Sequence, residues 1–249
     1  KFIMAYTTIN KSSEHMTASI WTGNGTKITT GFSPDWIWFK ARNAVSYSGI
    51  LNAISGYDKY TQSFSTDAET TSTGMMVTDS TGYTPGSVLS SNSYVGWSWK
   101  ANGTGSANTD GSQSSTVSVN TTAGFSIVKF VNNQSYTTNT FGHGLGVVPQ
   151  VIIMRSLDSA FNWDVHHHKI VNSKRLILNS TSAEASSTYM NSTSPTNQVF
   201  TVKSDEFGTN DNCIAYCFSD VQGYSKFSSY TGNGSADGTF VYTGFKPAF

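Results

Sequence analysis

Residues Trp21–Thr22–Gly23–Asn24–Gly25 recur near the far end of the chain as Tyr230–Thr231–Gly232–Asn233–Gly234, with a degenerate copy, Phe130–Val131–Asn132–Asn133, between them. Each copy precedes a turn and a proline-led run: Pro34–Asp35–Trp36–Ile37–Trp38–Phe39–Lys40, Pro149–Gln150–Val151–Ile152–Ile153–Met154–Arg155, and Pro247–Ala248–Phe249. A period of roughly 100–115 residues is too long for a solenoid coil and suits a string of small domains. The third copy breaks off as its strand begins, so the chain is expected to be a piece of a longer array. The repeat divides the sequence into an N-terminal arm (1–15), a first unit (16–105), a second unit (106–222) and the start of a third (223–249).

The residues inside each unit call for strands. Gly (22), Tyr (12), Phe (15) and Trp (6) sit in a background of Ser, Thr and Asn, a mixture that favours strands joined by polar turns. Apolar flanks around Gly23–Asn24–Gly25 mark a hairpin. Trp36 and Trp38 share one face of the next strand by two-residue periodicity, and Tyr94–Lys100 and Ile214–Phe218 close the two units as aromatic strands. Trp36, Trp38, Trp97 and Trp99 are expected in cores. No sustained 3.6-residue period occurs. The fold expected is all-β: tandem antiparallel β-sandwiches of jelly-roll or lectin-like type, strung end to end, with short helical turns. Residues 101–115, polar and glycine-rich, are expected to form a flexible linker.

Ser65–Glu69 and Ser180–Glu184 each place Thr three residues before Glu, the capping-box spacing. This predicts a short helical turn capped by Thr66 and Thr181; catalysis by the repeated carboxylate is the competing reading.

Charge is balanced, 15 basic residues against 15 acidic, with no Lys/Arg stripe to neutralise phosphates, so nucleic acid is not an expected partner. No apolar run approaches the length that spans a bilayer, and membrane insertion is not expected. Cys213 and Cys217, about 13 Å apart in a strand, lie beyond disulfide reach and read as core thiols. His166 and His168 share a face with Asp164. Their spacing is awkward for one metal, although three chains of a trimer would bring them around an axis; an exposed, metal-free cluster is the alternative. Gly142–His143–Gly144–Leu145–Gly146 lacks the Lys-Ser/Thr of a phosphate loop and reads as a turn. Asp35, Asp58, Asp79, Asp158 and Asp164 are scattered, with nothing to pair them as acid and base. No enzyme activity, metal or cofactor is expected. The loop aromatics Tyr47, Tyr57, Tyr60 and Phe161 are the candidate ligand contacts, suited to stacking on sugar rings, with structural roles as the alternative.

Met4–Ala5–Tyr6–Thr7–Thr8–Ile9–Asn10–Lys11, Pro34–Lys40, Gly142–Gly146, Ile214–Phe218 and Tyr230–Gly238 together resemble a repeated domain family of tailed-phage virion proteins, notably marine ones and often tail-fibre-like. The resemblance covers nearly the whole chain. It implies a non-enzymatic structural protein of the tail fibre or capsid exterior, partnered by other virion proteins and a host-surface glycan or protein. By analogy with phage fibres it implies a homotrimer. It transfers no catalytic residue. A decoration or connector protein without a receptor is the alternative, and a polysaccharide-degrading enzyme a third. The middle repeat copy, lacking its glycines, is expected to build an altered hairpin.

Overall fold

The computed structural model describes residues 6–45, 48–89, 91–135 and 137–247. Its strands are numbered β1 to β19 in chain order. In the first unit a six-stranded antiparallel sheet runs β1 (Met16–Thr22), β9 (Ser93–Trp99), β3 (Trp36–Ala41), β4 (Ser48–Asn52), β5 (Gly56–Thr61), β6 (Thr70–Thr71). A three-stranded sheet, β2 (Ile28–Thr29), β8 (Gly82–Pro85), β7 (Met76–Asp79), faces it. The second unit repeats this order as β12 (Phe125–Val131), β19 (Asn212–Phe218), β14 (Val151–Ser156), β15 (Asp164–His167), β16 (Lys174–Ile177), β17 (Ala185–Ser186). It extends the β12 edge with β11 (Ser115–Asn120) and β10 (Ser106–Asn108), and its facing sheet is β13 (Thr138–Gly142) with β18 (Val199–Lys203). The all-β sandwich architecture is as the sequence predicts.

Individual hydrogen bonds repeat with the topology. The N–H of Asp35 donates to Trp99 O and that of Gln150 to Phe218 O, while Ala53 and His168 N–H groups donate back to Asp35 and Gln150. Each side chain after the proline then catches the chain leaving the last strand: Asp35 accepts from Ala101 N–H at 2.6 Å, Gln150 from Asp220 N–H at 2.6 Å. Asn24, Asn133 and Asn233 each accept the N–H two residues on, the Asx turn that opens all three copies. Gly31, Gly144 and Gly244 occupy one position with φ of 84°, 70° and 83°, a left-handed turn where glycine carries no penalty.

The middle copy departs from its glycine at one point with a physical reason. A Cβ at Gly23 would lie 1.5 Å from Leu89 O. The second unit opens this space, and Asn132 fills it, donating through Nδ2 to the carbonyls of Ser204, Phe207 and Gly208.

The two sandwiches are not strung end to end; their large sheets pack face to face. Alternation along β3 sends Ile37, Phe39 and Ala41 into the first sandwich and Trp36 outward, against Phe125, Tyr216 and Phe218 of the second unit. Along β19, Cys213, Ala215 and Cys217 face the second sandwich, while Ile214, Tyr216 and Phe218 face Trp36 and Trp99. Both cysteines are free and buried. Residues 101–115 are correspondingly not a free linker: Ala101 is buried in the shared core, Asp35 holds the N–H groups of Ala101 and Gly103, and β10 lies within the segment.

Arg155, which follows the same strand period as Lys40, is fully buried beside this core. Its guanidinium lies 4.9 Å over Trp163 and donates to the Ser65, Thr66 and Asp67 carbonyls of the first unit. Trp163 Nε1–H donates to Gln62 O at 2.9 Å, and Glu69 N–H to Leu157 O at 2.7 Å. Residues 62–69 are thus held as an extended loop by the second unit. The helical turns predicted at Thr66 and Thr181 are absent; the 3₁₀ turns fall at Ser12–Glu14 and Ser87–Leu89. The repeated glutamate, just before β6 and β17, instead serves a repeated ion pair to the neighbouring strand, Lys59–Glu69 and Lys174–Glu184.

Of the arm, residues 6–15 lie on the body with Ile9 buried, and Tyr6 donates to Gly244 O. The third copy forms no strand among its described residues, and Tyr230, Phe240 and Tyr242 are exposed.

Replacing Arg155 with Leu leaves the carbonyls of Ser65, Thr66 and Asp67, in part-buried bonds, without their donor and removes the cation from Trp163. The expected loss is roughly 3 kcal/mol of unfolding free energy, read from urea denaturation. An unchanged midpoint and slope would show that the clamp contributes nothing to folding.

Candidate functional site

Four side chains that are far apart in sequence converge inside the second sandwich. Asp164 stands opposite Met154 on β15 and therefore shares its inward face. Arg175, on the adjacent β16, places Nη1 2.8 Å from Asp164 Oδ1 and in contact with Glu206 Oε1. Glu206 sits in the turn after β18, its N–H bonded to Lys203 O. Tyr189, whose carbonyl accepts Lys203 N–H, is fully buried, and its ring lies within electrostatic reach of Asp164, Glu206 and Arg175. Asp164 is 2% exposed, whereas the Arg175 and Glu206 side chains keep 24% and 16% of their surface. These two form the mouth of the cluster, and Asp164 and Tyr189 its floor.

Burial first, and then the negative charge of Glu206, push the Asp164 carboxyl up to about 8, against the pull of Arg175. Asp164 is therefore held toward its protonated form on the Arg175 guanidinium. Burial raises the Tyr189 phenol as well, with Asp164 and Glu206 adding to the shift. Tyr189 Oη and Arg175 Nε make no hydrogen bond to the protein. A cluster of this kind offers donors and acceptors side by side, which suits a hydroxyl that must both give and receive a hydrogen bond.

The same positions in the first unit carry no such chemistry. Phe39 faces Gly49 as Met154 faces Asp164, and Tyr60 pairs with Thr70 as Arg175 pairs with Ala185. The hydrogen bonds Gly86 N–H to Met75 O and Lys203 N–H to Tyr189 O equate Met75 with Tyr189; the next turn equates Leu89 with Glu206. Gly49, Tyr60, Met75 and Leu89 thus stand where the second unit has Asp164, Arg175, Tyr189 and Glu206. The fold does not need these polar groups, since the first unit builds it without them.

The residues singled out in the sequence are dispersed. Tyr47 lies outside the described residues. Tyr57 and Tyr60 pack against the core of the first unit, and the Tyr57 hydroxyl donates to Pro34 O. Phe161 is half-buried against the second core, edge-on to Phe207 at 5.6 Å, and Phe207 follows Glu206 directly. The histidine run also divides. His166 is buried, and burial lowers it to about 4. His168 Nε2 bonds Phe227 O at 3.0 Å. Among the described residues no group of three His, Cys, Asp or Glu side chains is placed to hold a metal. Asp164, taken from the sequence as unpaired, has its carboxylate neighbour in Glu206. The missed signal was the contrast between the repeats at corresponding positions.

A raised aspartate makes a sign-definite pH prediction. The folded state binds the Asp164 proton between the unfolded value near 4 and about 8, so this contribution is lost as pH rises through that interval. His166 acts oppositely, but only below about 6.5, where its unfolded state begins to charge. Between about pH 6.5 and 8 the wild type should therefore lose stability with a slope of up to about 1.4 kcal/mol per pH unit. Asp164→Asn should flatten that slope; the same loss of stability between the two pH values in wild type and variant, read by chemical denaturation, would rule out the shift.

A family model described as a domain of unknown function, DUF7483, matches residues 11–249. No curated protein and no solved structure matches the chain. The chain belongs to the DUF7483 family.

Proposed function

We propose that this DUF7483 member is a non-enzymatic binding module of a tailed-phage virion, of tail-fibre or adhesin type, that takes a host-surface glycan. The observation that carries the binding role is the Asp164–Arg175–Glu206–Tyr189 cluster, polar in one repeat and absent from the corresponding place in the other. Its rim, Glu206 and Arg175, faces solvent and can grip vicinal hydroxyls as carboxylate acceptor and guanidinium donor. Phe161, edge-on to Phe207, the residue after Glu206, offers an apolar ring for a sugar face. The virion setting is supported by the repeated motifs and by a low-charge, hydroxyl- and amide-rich composition. Other virion proteins are then its structural partners.

A second reading comes from the same cluster. Two carboxyls side by side, one of them pushed toward its protonated form, are the kind of pair that glycoside hydrolysis uses. Arg175 contacts both carboxylates, which favours holding a ligand over cleaving it.

An array of bacterial surface polysaccharides tests the proposal. Wild type is expected to be retained on a subset of glycans, with affinity falling at least ~10-fold in Arg175→Gln and Glu206→Gln. Circular dichroism checks that the variants stay folded. No retention by folded wild type, or retention indifferent to both substitutions, overturns this reading. Release of reducing ends from a retained glycan would replace it with the hydrolase.

A further inference from the structure

The first unit leaves open an edge that the second unit covers. Lys100 N–H donates to His15 O and Gly23 N–H to Asn92 O, so the odd-numbered residues of β1 bond β9. The backbone N–H and C=O groups of Met16, Ala18 and Ile20 therefore point to the other side, where no strand lies among the described residues. In the second unit the matching strand, β12, has β11 on that side, antiparallel and in register from Thr116↔Lys129 to Asn120↔Phe125. The scaffold thus accepts an antiparallel strand at this position, and one of its two copies already holds one.

β1 also lacks the devices that keep sheet edges from pairing. The other edges of the large sheets are short: β6 and β17 have two residues each, and β10 has three. β1 has seven, Met-Thr-Ala-Ser-Ile-Trp-Thr, without a charge, a proline or a glycine. Ile20 is 68% exposed at its outer face. Ala18 and Ile20 stand opposite Trp97 and Val95 of β9, which continue the apolar surface inward. An open groove of about 560 Å³ runs beside the strand, lined by Ser19, Ile20, Thr22 and Ile28 among others.

We propose that β1 is the pairing edge for a second copy of this chain. Two β1 strands meet antiparallel about a two-fold axis at Ala18, joining two six-stranded sheets into one. A self-pair requires one sequence to serve both sides, and an uncharged strand does so without bringing like charges together. This register lays Ile20 against the partner's Met16 and the partner's Ile20 against Met16. Centring the axis on Ser19 instead would set Met16 against Thr22. The outward backbone groups of Met16, Ala18 and Ile20 then find partners, as those of β12 do with β11.

The test is sedimentation of the full chain over a wide concentration range, with three variants. Wild type is expected to dimerise. Ile20→Lys, a change at an exposed position, should raise the dimer dissociation constant at least ~10-fold without altering the circular dichroism spectrum. Val171→Lys, at a residue 62% exposed elsewhere on the surface, should leave it unchanged. Ala18→Cys should cross-link to a disulfide dimer under mild oxidation, because hydrogen-bonded cross-strand neighbours lie about 5.5 Å apart and the native cysteines are buried. A monomer throughout, a trimer, an unshifted Ile20→Lys or an uncross-linked Ala18→Cys each overturns the proposal.

Discussion

The structure depends on Trp36 being covered. Its indole sits at ring-centre distances of 4.5 Å from Trp99, 4.6 Å from Tyr216 and 5.5 Å from Phe125. Burying about 200 Å² of aromatic surface at ~25 cal/mol per Å² stabilises by roughly 5 kcal/mol, an upper figure because unfolded chains are already partly compact. A single sandwich would leave that face in water. Each large sheet is therefore apolar on both faces, and neither unit is a finished domain without the other. The Arg155 clamp is a smaller term, since its desolvation cost offsets much of its hydrogen bonding. Its value is geometric: donors fixed to three consecutive carbonyls set how residues 62–69 lie on the aromatic layer.

Duplication turns the molecule into its own comparison. Features present in both copies are those the backbone requires: the Asx turn at Asn24 and Asn133, the left-handed glycine at Gly31 and Gly144, and the side chain after proline that retrieves the departing strand. The third copy keeps the first two of these at Asn233 and Gly244. Where the copies differ, the difference has a cause or a use. Asn132 replaces Gly23 because the neighbouring loop has withdrawn. Arg155 replaces Lys40 where the strand faces another unit. The exchange of Gly49, Tyr60, Met75 and Leu89 for Asp164, Arg175, Tyr189 and Glu206 satisfies no packing need, which is why it reads as function.

Much of this was legible in the residues. The repeated motifs, the proline-led strands and the absence of helical period specified antiparallel sheets and their duplication, but the hairpin read at Gly23–Asn24–Gly25 does not form, because β1 pairs with β9 and β2 with β8 in the facing sheet. The packing of the sheets was not read, although Cys213–Ile214–Ala215–Tyr216–Cys217–Phe218 is apolar at both parities and so signals a strand buried on two faces. Thr66 and Glu69 have capping-box spacing, but Arg155 and Leu157 claim the backbone there, and tertiary contacts overrode the local pattern. The polar cluster was invisible as a motif. Its members come from two adjacent strands, a loop and a turn, and only sheet register and the repeated turn bonds bring them together. The loop aromatics illustrate the converse: Tyr57 and Tyr60 read as loop residues suited to stacking on sugar rings, yet both lie on β5, packed against the core.

The two units have diverged in complementary directions. The second carries the extra strands β10 and β11, which close the edge beside β12, and it has acquired the buried polar cluster. The first lacks both and keeps an apolar core and a bare β1. The shared aromatic layer holds the sheet that carries this edge against the second unit. Conversely, Tyr189 weakens the packing of the second sandwich, because a buried hydroxyl without a protein partner costs about 1–3 kcal/mol. The same layer lets that cost be borne by both units. The interface around Trp36 is thus the condition under which one copy of the fold could keep an open edge and the other could give up part of its core.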